Sequence, residues 1–229
     1  MPTGDRLIAF LLASVVLVLI PGPTVVFVVG RTLALGRRAA LGSVAGNSAG
    51  VVVLVTLVSF GLGTAVERST AVYTVIRLLG AVYLVYLGVR TVLGRRRLAD
   101  ALGDAGAMSE GVLSEGVLSE GAVSARAGRV YRQGFVVGLT NPKTLVFFAA
   151  VLPQFVDPSA GRAATQMLTL GLLYVLVAMV LDGAWGLAAG TARDWFARSP
   201  RRLSVLGGTG GLAMVGLGLG LAVTGRPER

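Results

Sequence analysis

The chain has 229 residues, of which 54% are hydrophobic and only 14% are charged, and its mean hydropathy is +0.78. Because soluble domains carry about 25% charged residues, this composition excludes an ordinary soluble globule and indicates that lipid is the solvent. The sequence has no Cys and no His, which excludes disulfides, Cys/His metal sites and His-based catalytic relays.

The net charge of +10 comes from basic residues in short segments between apolar runs, without aromatic residues among them. A nucleic-acid site would need a clustered basic face. We therefore expect no nucleic-acid partner, and we interpret the charge as a signal of membrane topology.

Six runs are apolar enough to cross a bilayer, which takes about 20 residues each. They cover residues 7–29, 40–62, 71–93, 134–152, 168–190 and 204–224. The first run shows no small-residue cleavage site after a short core, so we expect a retained helix and not a signal peptide. The sequence thus predicts an all-α integral membrane protein with six transmembrane helices.

The first and the fourth runs are interrupted by proline. The first contains Pro21-Gly22-Pro23, and the fourth contains Asn141-Pro142-Lys143. Proline removes a backbone donor and breaks or kinks a helix. Irregular backbone at membrane depth is tolerated only where it is buried or lines a polar cavity. We predict that both interruptions line a cavity, and ordinary packing kinks are the alternative.

The second run carries Gly42, Gly46 and Gly50 at intervals of four, and the sixth has Gly207/Gly211 and Gly216/Gly220 in or near it. Small residues at this interval let helix backbones approach closely. The spacing favours packing within one chain, with a homodimer face as the alternative.

The segment 94–133 is the longest gap between runs. It contains SEGVL twice and then SEGAV, a five-residue repeat that matches neither helix nor strand periodicity. We predict a disordered cytoplasmic linker between two three-helix halves, residues 1–93 and 134–229. Because each half has an odd number of helices, the second half is expected to be inverted in the membrane, as in many transporters.

Basic residues are distributed unequally between the two sides of the membrane. Fourteen lie in the first, third and fifth connections or at their edges, and five lie on the other side. The positive-inside rule then places the fourteen in the cytoplasm and both termini outside the cytoplasm.

The sharpest polar features share one depth. Counted from the cytoplasmic ends of their runs, they all lie about 10–15 Å into the membrane, close to its midplane. The predicted substrate-binding residues are Pro21, Gly22, Pro23, Asn47, Asn141, Pro142, Lys143 and Asp182.

Lys143 is the only lysine of the chain, and Asp182 is the only acidic residue well inside a run. Charges at this depth are costly and usually face a bundle interior or a polar cavity. We expect Asp182 to bind a proton or an amino group and Lys143 to bind a carboxylate. A structural ion pair between the two is the alternative.

Four motifs, taken in order, resemble the LysE/RhtB family of bacterial amino-acid exporters over nearly the whole chain except 94–125. They are Pro21-Gly22-Pro23, the Gly-patterned stretch 36–50, the stretch from Arg77 to Leu84 that ends at Gly88, and the stretch from Gly134-Phe135 through Asn141-Pro142-Lys143 to residues 152–155. The resemblance implies proton-coupled efflux of amino acids or close derivatives across the bacterial inner membrane, with no cofactor.

Two alternatives from other classes remain. A metal-ion or other small-solute exporter would want several carboxylate ligands for a hard cation. A membrane-embedded enzyme would want a cluster of acidic residues or of His and Cys at one level. The single deep aspartate is less typical of either.

Overall fold

The computed structural model describes residues 4–20, 22–68, 70–94, 120–191 and 200–223, and every regular element in this part of the chain is helical. The α-helices are α1 (Gly4–Leu19), α2 (Pro23–Leu35), α3 (Arg37–Arg68), α4 (Thr70–Leu93), α5 (Glu120–Leu139), α6 (Pro142–Val146), α7 (Ala163–Thr191) and α8 (Pro200–Val223). A π-helical turn (Phe147–Val151) and two 3-10 turns (Leu152–Phe155 and Pro158–Ala160) lie between α6 and α7. The predicted all-α class is confirmed.

Four helical segments within the described residues are long and apolar enough to cross a membrane: Arg37–Gly61, Thr74–Leu93, Ala127–Phe155 and Ala163–Ala189. A bent pair, Gly4–Leu19 with Thr24–Thr32, passes the same test as a fifth. The apolar part of α8, Met214–Val223, is shorter. The count of six spans and the inverted relation of the halves therefore stay predictions.

The first apolar run is broken where the sequence predicts it. The axes of Gly4–Leu19 and Thr24–Thr32 differ by 52°. Gly22 is the N-cap of α2 in extended conformation, and Pro23 opens the helix, a position where its missing N–H costs nothing. Pro21 lies outside the described residues.

The fourth run is broken as well. Helix α5 ends at Leu139, and Asn141 caps α6 by accepting a hydrogen bond at its side-chain oxygen from the backbone N–H of Lys143, at 3.0 Å. Pro142 occupies the first helical position. In the π-helical turn that follows α6, backbone hydrogen bonds join residues five positions apart instead of the four of an α-helix. Such turns are frequent at functional sites.

Helix α5 begins inside the segment predicted as a disordered linker. Residues 120–133 are helical, so the prediction for 94–133 is wrong over this part. The predicted apolar run begins only at Gly134 because the turns before it carry the exposed Arg129 and Arg132. The helix nevertheless extends through these turns, since Val130 is buried beside Gly42 of α3. The SEGVL repeat lies outside the described residues.

Small residues bring α3 and α5 together until their backbones touch. A Cβ added at Gly46 would overlap the carbonyl oxygen of Tyr131. One added at Gly50 would overlap the carbonyl oxygen of Phe135. This glycine stripe therefore packs within the chain, whereas a Cβ at Gly216 of α8 meets no described atom within 4 Å, and a homodimer stays a prediction.

The two broken runs are antiparallel. At one end, Arg6 donates from Nη1 to the carbonyl oxygen of Val156 at 3.1 Å and lies 3.6 Å from the Asp157 carboxylate. At the other end, Arg31 donates to the side chain of Gln133. We call these the Arg6 end and the Arg31 end of the bundle.

The core lies where α1, α3, α4, α7 and α8 meet the π-helical turn, and it contains large apolar side chains such as Leu17, Val55, Phe147 and Met167. Many other large apolar side chains point outward. They include Leu12, Leu57, Phe60, Leu79, Val82, Leu176, Val180 and Leu219. An outer surface this apolar fits a bundle surrounded by lipid.

Candidate functional site

A small cavity opens inside the bundle between α1, α2, α3, α6 and α7. Its volume is about 10 Å³, which is room for about one water molecule. Its wall contains both a lysine and an aspartate. The lining residues are Val18, Thr24, Val25, Asn47, Val51, Asn141, Lys143, Thr144, Tyr174, Ala178 and Asp182.

Lys143 bridges the two helix breaks. Its ammonium donates to the carbonyl oxygens of Leu17 and Ile20 at the end of α1, both at 3.0 Å. The residue four positions after Leu17 is Pro21, which has no N–H to offer that carbonyl. Lys143 thus supplies the donor that the first break removes.

Gly22 leaves the space in which the Lys143 side chain lies. A Cβ at Gly22 would approach the Lys143 Nζ atom to 3.2 Å and Cε to 3.3 Å, closer than ordinary van der Waals contact. An ammonium has three donors, and two of them bind carbonyls of the chain. The third donor has no hydrogen-bond partner among the described residues.

A chain of hydrogen bonds joins the second break to α2 and α3. Asn141 donates from Nδ2 to the Thr24 hydroxyl at 2.8 Å, and that hydroxyl donates to Oδ1 of Asn47 at 3.4 Å. Asn47 is held in place because α5 has Gly138 against its backbone, where a Cβ would overlap the Asn47 carbonyl oxygen. These three polar side chains are all buried.

Asp182 is buried, with only 4% of its surface exposed, and it faces the same cavity from α7. Its carboxylate makes no hydrogen bond or salt bridge with any described residue, and it lies more than 4.0 Å from the Lys143 ammonium. The structural ion pair, which the sequence left as the alternative, is therefore not formed directly. A buried carboxylate without a partner is costly, so the site is suited to a cationic ligand or a proton.

Of the eight predicted site residues, the structure brings Asn47, Asn141, Lys143 and Asp182 to the cavity wall, with Gly22 in contact with Lys143. Pro142 is not in the lining and serves to open α6. Pro21 lies outside the described residues, and for Pro23 only the backbone position at the start of α2 is described.

Thr24 directly follows the first interruption, and this signal predicts its place at the cavity. Sequence reasoning missed Thr144 and Tyr174. Tyr174 precedes Asp182 by eight residues with Ala178 midway, so all three lie on one face of α7. That spacing was also available, but aromatic residues in a helical pattern usually indicate core packing.

Aromatic side chains close the cavity toward the Arg6 end. The ring of Tyr174 lies 5.4 Å from that of Phe147 and 5.0 Å from that of Phe148, between centroids. The ring of Phe10 lies 5.9 Å from that of Phe147 and 5.4 Å from that of Phe155. Centroid distances of this size are typical of favourable aromatic pairs.

Toward the Arg31 end, α2 packs against α7 through Gly186. A Cβ at Gly186 would come within 3.0 Å of a Val28 methyl group and 3.5 Å of the Thr32 hydroxyl. The closure at this end is made of smaller side chains than the aromatic closure at the Arg6 end.

Beyond the aromatic cluster, the loop before α7 is held by its own hydrogen bonds. The Ser159 hydroxyl and backbone N–H donate to Oδ1 of Asp157 at 2.7 and 3.0 Å. These bonds lower the pKa of Asp157 below its usual value, and the nearby Arg6 guanidinium acts in the same direction. Asp157 therefore stays ionised and paired with Arg6 at neutral pH.

The donor set of the cavity combines opposite charges. The described residues contain no group of three or more His, Cys, Asp or Glu side chains that could hold a metal. What the cavity presents is one ammonium donor and one carboxylate, with hydroxyl and amide groups between them.

The family model described as LysE type translocator matches residues 15–225, which include both helix breaks and every residue that lines the cavity. The chain belongs to the LysE family. The resemblance found in the four motifs is thereby confirmed, and this LysE-family protein is a multi-pass membrane protein of a translocator family. Membership agrees with the expectation of a transport protein rather than an enzyme.

Individual relatives agree with this assignment. The chain of this LysE-family protein is 32% identical over 216 residues to an uncharacterized membrane protein of Vibrio cholerae, covering 94% of this chain and 95% of the relative. It is 31% identical to a homoserine/homoserine lactone efflux protein of Salmonella typhimurium, with 86% of each chain covered. It is 26% identical to a leucine efflux protein of Klebsiella pneumoniae, with 94% and 93% covered. No solved structure is significantly similar to the chain.

Proposed function

We propose that this LysE-family protein exports an amino acid or a close derivative, and that the cavity between the two helix breaks is its binding site. The observation that carries the proposal is the separation of Lys143 from Asp182. Two opposite charges face one cavity from different helices and do not pair directly. A zwitterion that carries a carboxylate and an ammonium on one carbon can satisfy both. Relatives named for homoserine and leucine efflux support this substrate class.

The carboxylate of the substrate would bind at the start of α2. The first N–H groups of a helix have no partner within it and carry partial positive charge. Gly22 supplies no side-chain cap, so the N–H groups of Thr24 and Val25 are available to a ligand. The third donor of Lys143 lies on the same side of the cavity, against Gly22. The ammonium of the substrate would bind the Asp182 carboxylate.

The size of the cavity supports transport by alternating access. Room for about one water molecule is too little for an amino acid, so this state is closed to substrate and one end must open to admit it. The α2–α7 contact at Gly186 would open toward the Arg31 end, and the aromatic cluster of Phe10, Phe147 and Tyr174 would open toward the Arg6 end. The helix breaks supply bending points for these motions.

Proton coupling would use the same aspartate. If Asp182 binds either a proton or the substrate ammonium, a proton entering from one side can displace the substrate toward the other. The buried position of Asp182, without a partner among the described residues, supports this exchange.

We also propose the orientation that the basic residues predict, with the Arg31 end in the cytoplasm and both termini outside it. This orientation places the smaller closure toward the cytoplasm, where an exporter collects its substrate. The organisms of the relatives and the positive-inside rule support a location in the bacterial inner membrane.

The proposal is tested with purified protein in vesicles loaded with a panel of radiolabelled amino acids and, separately, divalent cations. We expect efflux of at least one amino acid and none of the cations. Asp182→Asn should reduce that efflux at least tenfold. Asp5→Asn, an equal change at an exposed position of α1, is the matched control and should leave efflux unchanged. Cation efflux without amino-acid efflux, or equal activity of the two variants, would contradict the proposal.

A further inference from the structure

One part of the cavity wall is apolar and has no role in the proposed binding of the two charges. Val18 of α1 and Val51 of α3 contribute to this part, as does Ala178 of α7. All three side chains are buried or nearly so, and Ala178 is 5% exposed. We call these three residues the apolar wall.

Within the apolar wall, Ala178 is the residue that lies on the same helix face as Asp182. It lies four residues before Asp182 and four after Tyr174, so the three side chains form a row on one face of the helix. At a rise of about 1.5 Å per residue, Ala178 is about 6 Å along the axis from Asp182. That distance is comparable to the length of an aliphatic amino-acid side chain.

The far end of the row is an aromatic cluster. The Tyr174 ring packs on both Phe147 and Phe148, with centroids 5.4 and 5.0 Å away. A substrate whose ammonium binds Asp182 would extend its side chain across Ala178 toward this ring. The space available to the side chain is then set by the residue at 178, because the ring behind it is held in place.

We propose that Ala178, together with Val18 and Val51, sets the size of the substrate side chain, and that the substrates are neutral amino acids with aliphatic side chains. This inference rests on the proposed function. The described lining residues hold one cation and one anion, and a zwitterionic backbone uses both. A basic or acidic side chain would face the apolar wall without a counter-ion, which is unfavourable in a buried site.

The wall also predicts the direction of two size changes. Ala178→Val adds two methyl groups to a cavity that now has room for about one water molecule. It should exclude long side chains before short ones. Val51→Ala removes two methyl groups from another part of the same wall and should favour long side chains. The two variants thus change the volume of the same cavity in opposite directions, and their effects on the substrate preference can be compared.

The experiment measures efflux of alanine, leucine and arginine from vesicles that contain the wild type, Ala178→Val, Val51→Ala or Ala184→Val. Ala184 lies on the same helix but is exposed, so Ala184→Val is the matched control. We expect the wild type to transport neutral amino acids at least tenfold faster than arginine. Ala178→Val should lower the leucine-to-alanine ratio at least fivefold, Val51→Ala should raise it, and Ala184→Val should leave it unchanged.

The outcomes separate the two proposals. If the wild type transports amino acids but Ala178→Val and Val51→Ala both keep its leucine-to-alanine ratio, the apolar wall does not select the substrate. The inference is then wrong, while the proposed function stands. Arginine efflux as fast as leucine efflux has the same meaning. If the wild type transports no amino acid, both fail. Should Ala178→Val not insert into the membrane, the leucine-to-alanine ratios of Val51→Ala and Ala178→Gly test the inference instead, because both substitutions enlarge the cavity.

Discussion

Replacing Lys143 by Met tests whether this lysine stabilises the broken first helix. The change keeps a long side chain but removes the donors that bind the carbonyl oxygens of Leu17 and Ile20. A buried acceptor left without a partner costs about 1–3 kcal/mol. Two such acceptors amount to roughly 2–6 kcal/mol, and we expect the lower half of this range because the variant no longer buries an ammonium.

A second substitution makes the test specific to the helix break. Pro21→Ala restores a backbone N–H four positions after Leu17, the donor that a continuous helix would use. In a Pro21→Ala background, Lys143→Met should therefore cost about 1–3 kcal/mol less than in the wild type, which is the value of one acceptor. Such coupling is expected only between residues that serve the same group.

The assay is the free energy of unfolding in mixed micelles, followed by tryptophan fluorescence during titration with a denaturing detergent. Wild type, both single variants and the double variant complete the cycle. If Lys143→Met is as stable as the wild type to within about 0.5 kcal/mol, or if it costs the same in both backgrounds, Lys143 does not replace the donor lost at Pro21, and our account of the first break is wrong.

Three further predictions follow from the packing, the loop before α7 and the charge distribution. Gly46→Ala should destabilise the protein by about 1–3 kcal/mol, because its Cβ would overlap the Tyr131 carbonyl oxygen; Gly216→Ala, which meets no described atom within 4 Å, is the control in the same unfolding assay and should cost nothing. The pKa of Asp157 is lowered in the folded state, so its charge stabilises the fold at pH values above the usual pKa of 3.8, and this contribution is lost as the pH falls through the lowered pKa. The difference in unfolding midpoint between wild type and Asp157→Asn should therefore be constant near neutral pH, shrink below about pH 4 and then vanish. A difference that grows in acid would refute the assignment. A C-terminal reporter active only in the cytoplasm should be silent, and strong activity would reverse the proposed topology.

The depth of the polar residues was predictable, and their orientation was not. A helix rises by a fixed distance per residue, so counting along the runs placed Asn47, Asn141, Lys143 and Asp182 at one level, and all four line the cavity. Counting does not say which neighbour each side chain meets. Lys143 was expected to pair with Asp182 or a substrate carboxylate, yet its ammonium binds two carbonyls freed by the other break. That contact depends on how two distant segments pack.

The start of α5 and the role of Tyr174 show two other limits. A search for apolar runs stops where charged residues begin. It therefore misses helical turns that bury only one face, such as the turn at Val130. Tyr174 differs from a core aromatic residue only because an aspartate eight residues later faces the same cavity. Both features follow from pairs of elements, whereas the prolines act on the backbone locally and were therefore visible in the sequence.

The most direct test of the central claim, that Asp182 binds the amino group of a zwitterionic substrate, is a competition measurement. Transport of a labelled neutral amino acid is inhibited with the same amino acid or with its N-acetyl derivative, which has no ammonium. For the wild type, we predict that N-acetylation weakens inhibition at least tenfold. For Asp182→Asn, measured by exchange without a pH gradient, the two inhibitors should differ by less than threefold. If Asp182→Asn discriminates between them as strongly as the wild type does, Asp182 does not bind the amino group and the account is wrong.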